Sequence, residues 1–463
     1  MKPVKIVVVG AGSANFGLNA LATLIRSRRL QGSSLSLVDI DAHGLELITR
    51  LARRLNQEWN AGWTIESSTD AAAVLDGASF VIVSIEVPPR EKLWRLDWEI
   101  PLRHGARQPY GENGGAGGFA HTARNVPPVI RIARQMEAHC PEAWLLIFSN
   151  PLPRLCRAVT RYTRIKTVGL CHQLLRAYLM AAWALAAELD IQVPADLTLR
   201  PGPVGAISRS KLAQQGLKRL EIKAAGLNHF TWVLSMRDRE TGADLYPLFR
   251  ERLRDLDPHV APLSRELMDI FGLFPAPGDD HLAEYLPWLH DPQTRPWEKY
   301  GIELYAWDEA EASREALWAA VESMAEGRSE AQQLREVISE GAAELIEGVA
   351  DNLNLYQQSV NIPNDGYITN LPHGAVVEVP AVISAGGVRG LGMGALPGPI
   401  AELIRRETVL ADLVVEASVT GSREVALQAL LLDPTINDIG AARSILDDYL
   451  TTHAAHLPQF SRA

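Results

Sequence analysis

The sequence is poor in cysteine: Cys140, Cys156 and Cys171 are all that 463 residues contain. So sparse and odd a set is no disulfide framework. A reducing, cytoplasmic setting follows, one that also keeps a working thiolate available. No apolar run approaches the roughly 20 residues that span a bilayer, so no membrane partner is expected. Met1-Lys2-Pro3-Val4-Lys5 leads straight into a short apolar stretch, without a signal-peptide core or cleavage site. Basic residues are outnumbered, 45 Lys and Arg against 55 Asp and Glu, a net charge of −10. That balance argues against nucleic-acid binding through a basic surface. Internal repeats and low-complexity segments are absent as well. What remains is an ordinary globular composition with ample apolar content for a large core, at a length that allows about three domains.

The N-terminal region reads as a nucleotide-binding unit. Ile6-Val7-Val8-Val9 is a buried-strand run feeding Gly10-Ala11-Gly12-Ser13-Ala14-Asn15-Phe16-Gly17. Strand, glycine turn and helix in that order suit a pyrophosphate at the helix N-terminus, with Gly10, Gly12, Ser13, Asn15 and Phe16 beside it. Asn15 stands where the third glycine of the usual pattern would be. By itself the motif also fits a tight turn in any α/β protein. The next strand, from Ser34, ends in Asp39-Ile40-Asp41. An acid at that point is placed to bond the adenosine ribose; Asp39 is preferred, and Asp41 reads as a helix N-cap. The absence of an arginine directly after it favours NAD over NADP. A further strand, residues 79–85, brings Ser84 toward the same crevice.

Residues 110–118, Tyr110-Gly111-Glu112-Asn113-Gly114-Gly115-Ala116-Gly117-Gly118, hold too many glycines for a helix or strand interior. They fit a flexible surface loop, or a substrate-side loop with Glu112 or Asn113 pointing inward. Helical spacing resumes over 122–139. A strand at 144–148 ends in Ser149-Asn150-Pro151, and another at 167–170 delivers Cys171-His172 to the same edge. Short strands alternating with helices are what a doubly wound parallel sheet needs. After Gln173 the character changes. A long Ala/Leu helix over 174–189 precedes a strand-like run, 220–225, that leads to Asn228-His229. The division falls near residue 190: a Rossmann-type domain over 1–190, resembling lactate and malate dehydrogenases, and an α+β domain over 191–463. The second contains amphipathic stretches over 263–268, 310–324 and 329–354, helices over 400–420 and 424–432, and a strand at 374–380. A thiolate, two imidazoles and an amide from Cys171-His172 and Asn228-His229 suit a divalent metal that a substrate also reaches.

The set Gly10-Ala11-Gly12-Ser13, Asp39-Ile40-Asp41, Gly111 to Gly118, Ser149-Asn150-Pro151, Gly169-Leu170-Cys171-His172 and Gly226-Leu227-Asn228-His229 is continued by Asn361-Ile362-Pro363-Asn364-Asp365-Gly366, Asn370-Leu371-Pro372 and Val377-Glu378-Val379-Pro380. In order and spacing it resembles glycoside hydrolase family 4, whose members do not use the usual carboxylate pair. The resemblance implies an NAD- and Mn²⁺-dependent glycosidase. Its chemistry would be oxidation at C3 of the sugar, metal-assisted removal of the C2 proton, elimination of the glycosidic oxygen, addition of water and re-reduction.

Carried over by motif, Cys171 and His229 are the metal ligands. Asn150 bonds substrate hydroxyls and also touches the cofactor, and Asn228 bonds substrate or orients His229. His172 is the general acid on the leaving oxygen, and Asp279 the base on C2, with Asp280 and Tyr285 as rivals. Arg90, Arg95, Arg107 and Arg124 suit an anion or plain solvated surface equally well. The segment 89–97 departs from the form expected for phosphorylated sugars, which leaves unphosphorylated α-hexosides or α-hexuronides as substrates. A small-molecule glycoside and a second copy of the chain, in a homodimer or homotetramer, are the expected partners. Two rivals stand beside this reading: an NAD-dependent dehydrogenase of a hydroxy acid or sugar, and a catalytically idle NAD-binding sensor.

Overall fold

The computed structural model describes residues 2–12, 14–199 and 205–461, with only the backbone of residues 14–17. Six strands, β1 (Lys5–Val9), β2 (Ser34–Val38), β3 (Thr64–Ser68), β4 (Phe80–Val83), β5 (Trp144–Ile147) and β6 (Lys166–Gly169), pair in parallel in the order β3-β2-β1-β4-β5-β6. The central strands are continuous apolar runs because helices cover both faces. This is the doubly wound arrangement expected, and its reversal point lies between β1 and β4.

The sheet does not stop there. β7 (Leu220–Leu227), β8 (Phe230–Asp238), β9 (Leu355–Pro363), β10 (Val376–Ser384) and β11 (Gly387–Gly390) extend it to eleven strands, continuing β6-β9-β10-β7-β8, with β11 against β10. These additions are antiparallel. Their register forms one row across the sheet: Gly169 faces Asn361, Asn361 faces Glu378, and Glu378 faces Gly226. Cys171 lies two residues past one end of that row and Asn228 two residues past the other.

Three local expectations are corrected. The glycine-rich stretch is partly helical, since the helix expected from residue 122 already starts at Gly115 and runs to His139. Its glycines are there for contact. A Cβ on Gly117 would sit 2.6 Å from the Gly111 carbonyl oxygen, and one on Gly118 2.9 Å from the Asn113 backbone. The loop over 108–114 therefore lies directly on the helix. Residues 329–354 are not one helix: a 3₁₀ turn (Gln332–Glu336) is followed by a short helix (Ala342–Ala350). Gly341 separates them in the left-handed region, at φ +97°. The Ala/Leu helix is also shorter than expected, Leu175–Ala184. Among the described residues no helix is long and apolar enough to cross a membrane.

Candidate active site

The cofactor end is built by the turn after β1. Gly10 and Ala11 both donate to the Val38 carbonyl, at 2.8 and 3.0 Å. Gly10 has φ +89°, and a Cβ on it would fall 2.0 Å from the Ser84 carbonyl oxygen. Only glycine lets the turn rest on the end of β4. The Gly12 N–H donates to Asp39 Oδ2 at 2.7 Å, and the Asp41 N–H to Asp39 Oδ1 at 2.9 Å. Asp41 caps the helix Ala42–Glu58 by accepting from the His43 N–H, as its position suggested. Ser13 lies outside the described residues. Asn15 and Phe16 fall in the helix Ala14–Arg26, where their side chains are not described.

At the far end of β6, Cys171 meets His229: Sγ and Nε2 are 3.5 Å apart. His229 and Asn228 form the turn of the β7–β8 hairpin, in which Leu227 faces Phe230. His229 takes φ +63°, uncommon for a side chain of its size. The strained turn is held by the His229 N–H donating to Gln173 Oε1 at 2.9 Å. Burial, then the charges of His281 and His172, holds the His229 imidazole well below its ordinary value. Burial, then the Glu378 carboxylate, pushes the Cys171 thiol up to about 12.

Glu378 is a functional candidate to which the sequence motif assigned no role. It is buried, and its carboxylate accepts from Asn228 Nδ2 at 2.6 Å, Asn361 Nδ2 at 3.1 Å and Thr231 Oγ1 at 3.0 Å. Both amide nitrogens being fixed, the carbonyl oxygens of Asn228 and Asn361 are left buried without a partner among the described residues. A buried acceptor without a partner is costly and calls for a ligand.

The remaining predicted residues separate. Asp279 accepts from the Leu263 N–H at 2.8 Å, the Ser264 N–H at 3.0 Å and Ser264 Oγ at 2.5 Å. Its carboxylate thus serves the first turn of the helix Pro262–Phe271. Asp280 turns the other way and accepts from the Tyr110 hydroxyl at 2.8 Å. Burial alone would raise Asp280, but His281 and Tyr110 bring it below the ordinary carboxylate value. His281, next in the chain, stacks on Tyr110 at 4.7 Å between centroids and lies 4.4 Å from the His229 ring. Its Nδ1 is 3.3 Å from Glu284 Oε2. Tyr285 stacks on Phe230 in the core. His172 faces solvent, its side chain 67% exposed, with Nδ1 3.4 Å from Glu340 Oε1. That acid's hydrogen bond raises the imidazole above its ordinary value.

Glu112 and Asn113 do point inward, as one of the two loop readings expects; both are buried. Glu112 Oε2 accepts from Asn113 Nδ2 at 2.8 Å and from Asn150 Nδ2 at 3.1 Å. The loop carrying them is pinned by Glu284, whose Oε1 accepts from the Glu112 and Gly114 N–H groups. Ser149 joins the ends of β4 and β5 through both backbone groups of Ile85. Ser84, Ser149, Asn150 and Cys171 follow the carboxyl ends of the parallel strands β4, β5 and β6, where open α/β sheets bind ligands.

Comparison with known proteins agrees with this arrangement. The description "Family 4 glycosyl hydrolase" matches residues 5–181, and "Family 4 glycosyl hydrolase C-terminal domain" matches residues 224–436. An α-glucosidase of Erwinia rhapontici is 30% identical over 483 residues, covering 96% of each chain. An α-galactosidase of Bacillus subtilis (strain 168) is 30% identical over 463 residues, covering 98% of this chain and 99% of that one. Among solved structures, lplD of Bacillus subtilis superposes with a TM-score of 0.82 at 26% identity, over 97% of this chain and 100% of that one. A 6-phospho-α-glucosidase from gut microorganisms, in complex with NAD and Mn²⁺, shares the fold with a TM-score of 0.79 at 23% identity, over 98% and 99%. The chain belongs to family 4 of the glycosyl hydrolases.

Proposed function

We propose that this protein is an NAD- and Mn²⁺-dependent glycosidase acting on unphosphorylated α-hexosides or α-hexuronides. The observation that carries the reading is the Cys171–His229 pair at the carboxyl edge of a sheet whose first turn fits a dinucleotide. Cys171 Sγ and His229 Nε2 stand 3.5 Å apart, a sulfur and an imidazole nitrogen of the kinds that would hold a divalent metal. The unpartnered carbonyl oxygens of Asn228 and Asn361 supply further buried acceptors beside the pair. The NAD fit rests on the Gly10 approach to Ser84 and on Asp39 at the end of β2.

Bound NAD supplies a hydride acceptor and donor, and a bound divalent metal a Lewis acid for the sugar oxygens. The protein's own groups do the rest. Cys171 and His229 would hold the metal. Asn150, anchored on Glu112, and Asn228, anchored on Glu378, present amides to the sugar hydroxyls. His172, at the solvent side where a leaving group departs, donates the proton to the glycosidic oxygen. We read the base on C2 as Asp280 rather than Asp279. Asp279 is committed to three donors of a neighbouring helix, whereas Asp280 faces Tyr110 and adjoins His281, whose ring lies 4.4 Å from that of His229. The same reading places the enzyme in the cytoplasm, as a homodimer or homotetramer. The unpaired state of all three thiols supports a reducing compartment.

The test is hydrolysis of aryl α-glycosides with and without NAD⁺ and Mn²⁺, under reducing conditions, with NADH followed by absorbance. Sugar release that needs both additives, with no net NADH, is expected. Cys171→Ser should abolish the Mn²⁺ response while leaving NAD⁺ binding intact. Steady NADH accumulation without bond cleavage would move the protein to the dehydrogenase reading.

A further inference from the structure

Four arginines stood out in the sequence as possible anion receptors, and the structure accounts for each. Arg124 is locked on the buried Asp97. Arg107 donates to the Ile302 carbonyl at 2.8 Å and lies 4.2 Å over the Trp297 ring. Arg95 pairs with Glu99 at the surface. Arg90 alone of the four lies beside Glu112, and there it is outnumbered. Its Nε is 2.5 Å from Glu86 Oε2, its Nη1 3.6 Å from Glu91 Oε1 and its Nη2 4.0 Å from Glu112 Oε1. Elsewhere in the site the charge of Arg176 acts on Asp279 and Asp280. None of the four arginines that stood out in the sequence is left over for a carboxylate or phosphate.

Glu86, Glu112 and His121 bring one ligand atom each to within 4.8 Å of one another. Two further groups at this spot lack partners. His121 is 2% exposed; its Nδ1 turns to Arg124 and Asp97, while its Nε2 has no hydrogen bond. Asn113 is 3% exposed; its Nδ2 is spent on Glu112, while its Oδ1 has no hydrogen bond. Burial holds His121 neutral, pushing it down to about 4. Two carboxylates, a neutral imidazole and an amide carbonyl make a set of acceptors and one switchable donor, suited to hydroxyl groups. A second metal is disfavoured because the Arg90 guanidinium already occupies the cationic place between the carboxylates.

We propose that Glu86, Glu112, Asn113 and His121, with Arg90 between them, form a hydroxyl-selecting subsite that admits neutral hexosides and rejects uronic and 6-phosphorylated ones. This rests on the glycosidase reading and narrows it, because hexuronides are removed from the substrate class. The site is contiguous with the chemistry through Asn150, which shares Glu112 Oε2. Burial, then the Glu86 carboxylate, already pushes the Glu112 carboxyl up to about 7, and an anionic sugar substituent beside the pair would add a further like charge.

The experiment compares kcat/KM of the NAD⁺- and Mn²⁺-loaded enzyme on aryl α-glucoside and α-galactoside with the matching α-galacturonide and 6-phospho-α-glucoside. The better neutral substrate should exceed both anionic ones by about 100-fold or more. Glu112→Gln should raise KM for the neutral sugar and shrink its advantage over the uronide by about tenfold. Glu86→Gln serves in its place should the first variant not fold. Cofactor-dependent turnover that favours the uronide or the 6-phosphate overturns the subsite and leaves the glycosidase reading standing. No cofactor-dependent turnover of any substrate overturns the glycosidase reading instead. The subsite is then judged by calorimetry with glucose, galactose, galacturonate and glucose 6-phosphate on the NAD⁺-loaded protein: tighter binding of a neutral sugar supports it, and tighter binding of an acid overturns it.

Discussion

Asp97→Asn should destabilise the whole molecule although Asp97 touches no reacting atom. Asp97 is fully buried, and so are its partners Arg124 and His453. The Arg124 guanidinium grips both carboxylate oxygens, one of them at 2.6 Å. His453 Nε2 lies 2.8 Å from Oδ1, and the Tyr449 hydroxyl donates to the Asp97 backbone carbonyl at 2.6 Å. The pair thus ties the helix Arg90–Arg103 to the helix Gly115–His139 and to the C-terminal helix Ile439–Thr452. Removing one charge of a buried pair strands the other, at a cost of about 3–5 kcal/mol. Unfolding entropy of about 2.1 cal/mol/K per residue over 463 residues is about 1 kcal/mol/K, so Tm should fall by about 3–5 °C. Differential scanning calorimetry reads this directly, with Asp412→Asn as the control. Asp412 pairs with Arg157 at 2.5 Å but is 40% exposed, and such a pair contributes at most about 1 kcal/mol. Burial alone would raise the Asp97 carboxyl, but Arg124 and His453 bring it below its ordinary value. A depressed carboxylate stabilises above its unfolded pKa, about 3.9, and that contribution is lost as pH falls through the native value. The gap between wild type and variant should therefore be constant from pH 5 upward and close below pH 4. A Tm within 1 °C of wild type at pH 7, or a loss no larger than the control's, would refute the reasoning.

Two more outcomes follow from close contacts. Gly10→Ala puts a methyl carbon 2.0 Å from the Ser84 backbone oxygen at an unfavourable φ, so β1 and β4 must shift apart; NAD⁺ affinity measured by fluorescence titration should fall at least about 100-fold. An affinity within threefold of wild type would count against the cofactor turn. Glu378→Ala leaves Asn228 and Asn361 without their anchor beside His229. Calorimetric Mn²⁺ affinity should drop about 10- to 100-fold, as when the outer partners of metal ligands are lost, and an unchanged affinity would detach Glu378 from the metal centre.

The parallel half of the fold was legible because its signals are local. A β-branched run followed by glycines makes a strand and a tight turn wherever it stands, and an acid immediately before a helix start caps it. Asp39, Asp41 and the strand ends at Ser84, Asn150 and Cys171 followed from such runs. Asp279 and Asp280 were harder to separate. They are adjacent in sequence and chemically identical, and only the direction of the backbone decides that one accepts from the helix Pro262–Phe271 and the other from Tyr110. Glu378 stood within a motif and His281 in none, and no local pattern tells an imidazole packed against His229 from one in the core.

The sequence by itself determined the nucleotide-binding topology, the glycine turn at Gly10 and the donor types at Cys171 and His229, since these depend on neighbours a few residues away. Tertiary structure decided what those donors meet. The row Gly169–Asn361–Glu378–Gly226 exists because β9 and β10 close against the edge of β6, joining segments about 200 residues apart. The same holds for Arg90: the sequence left it open between an anion receptor and a solvated surface arginine, while the fold turns it onto Glu86, four residues before it, and brings Glu112 close. Hydrogen bonds and ion pairs are short-ranged, so which partner a polar group finds is a property of the folded arrangement and not of its position in the chain.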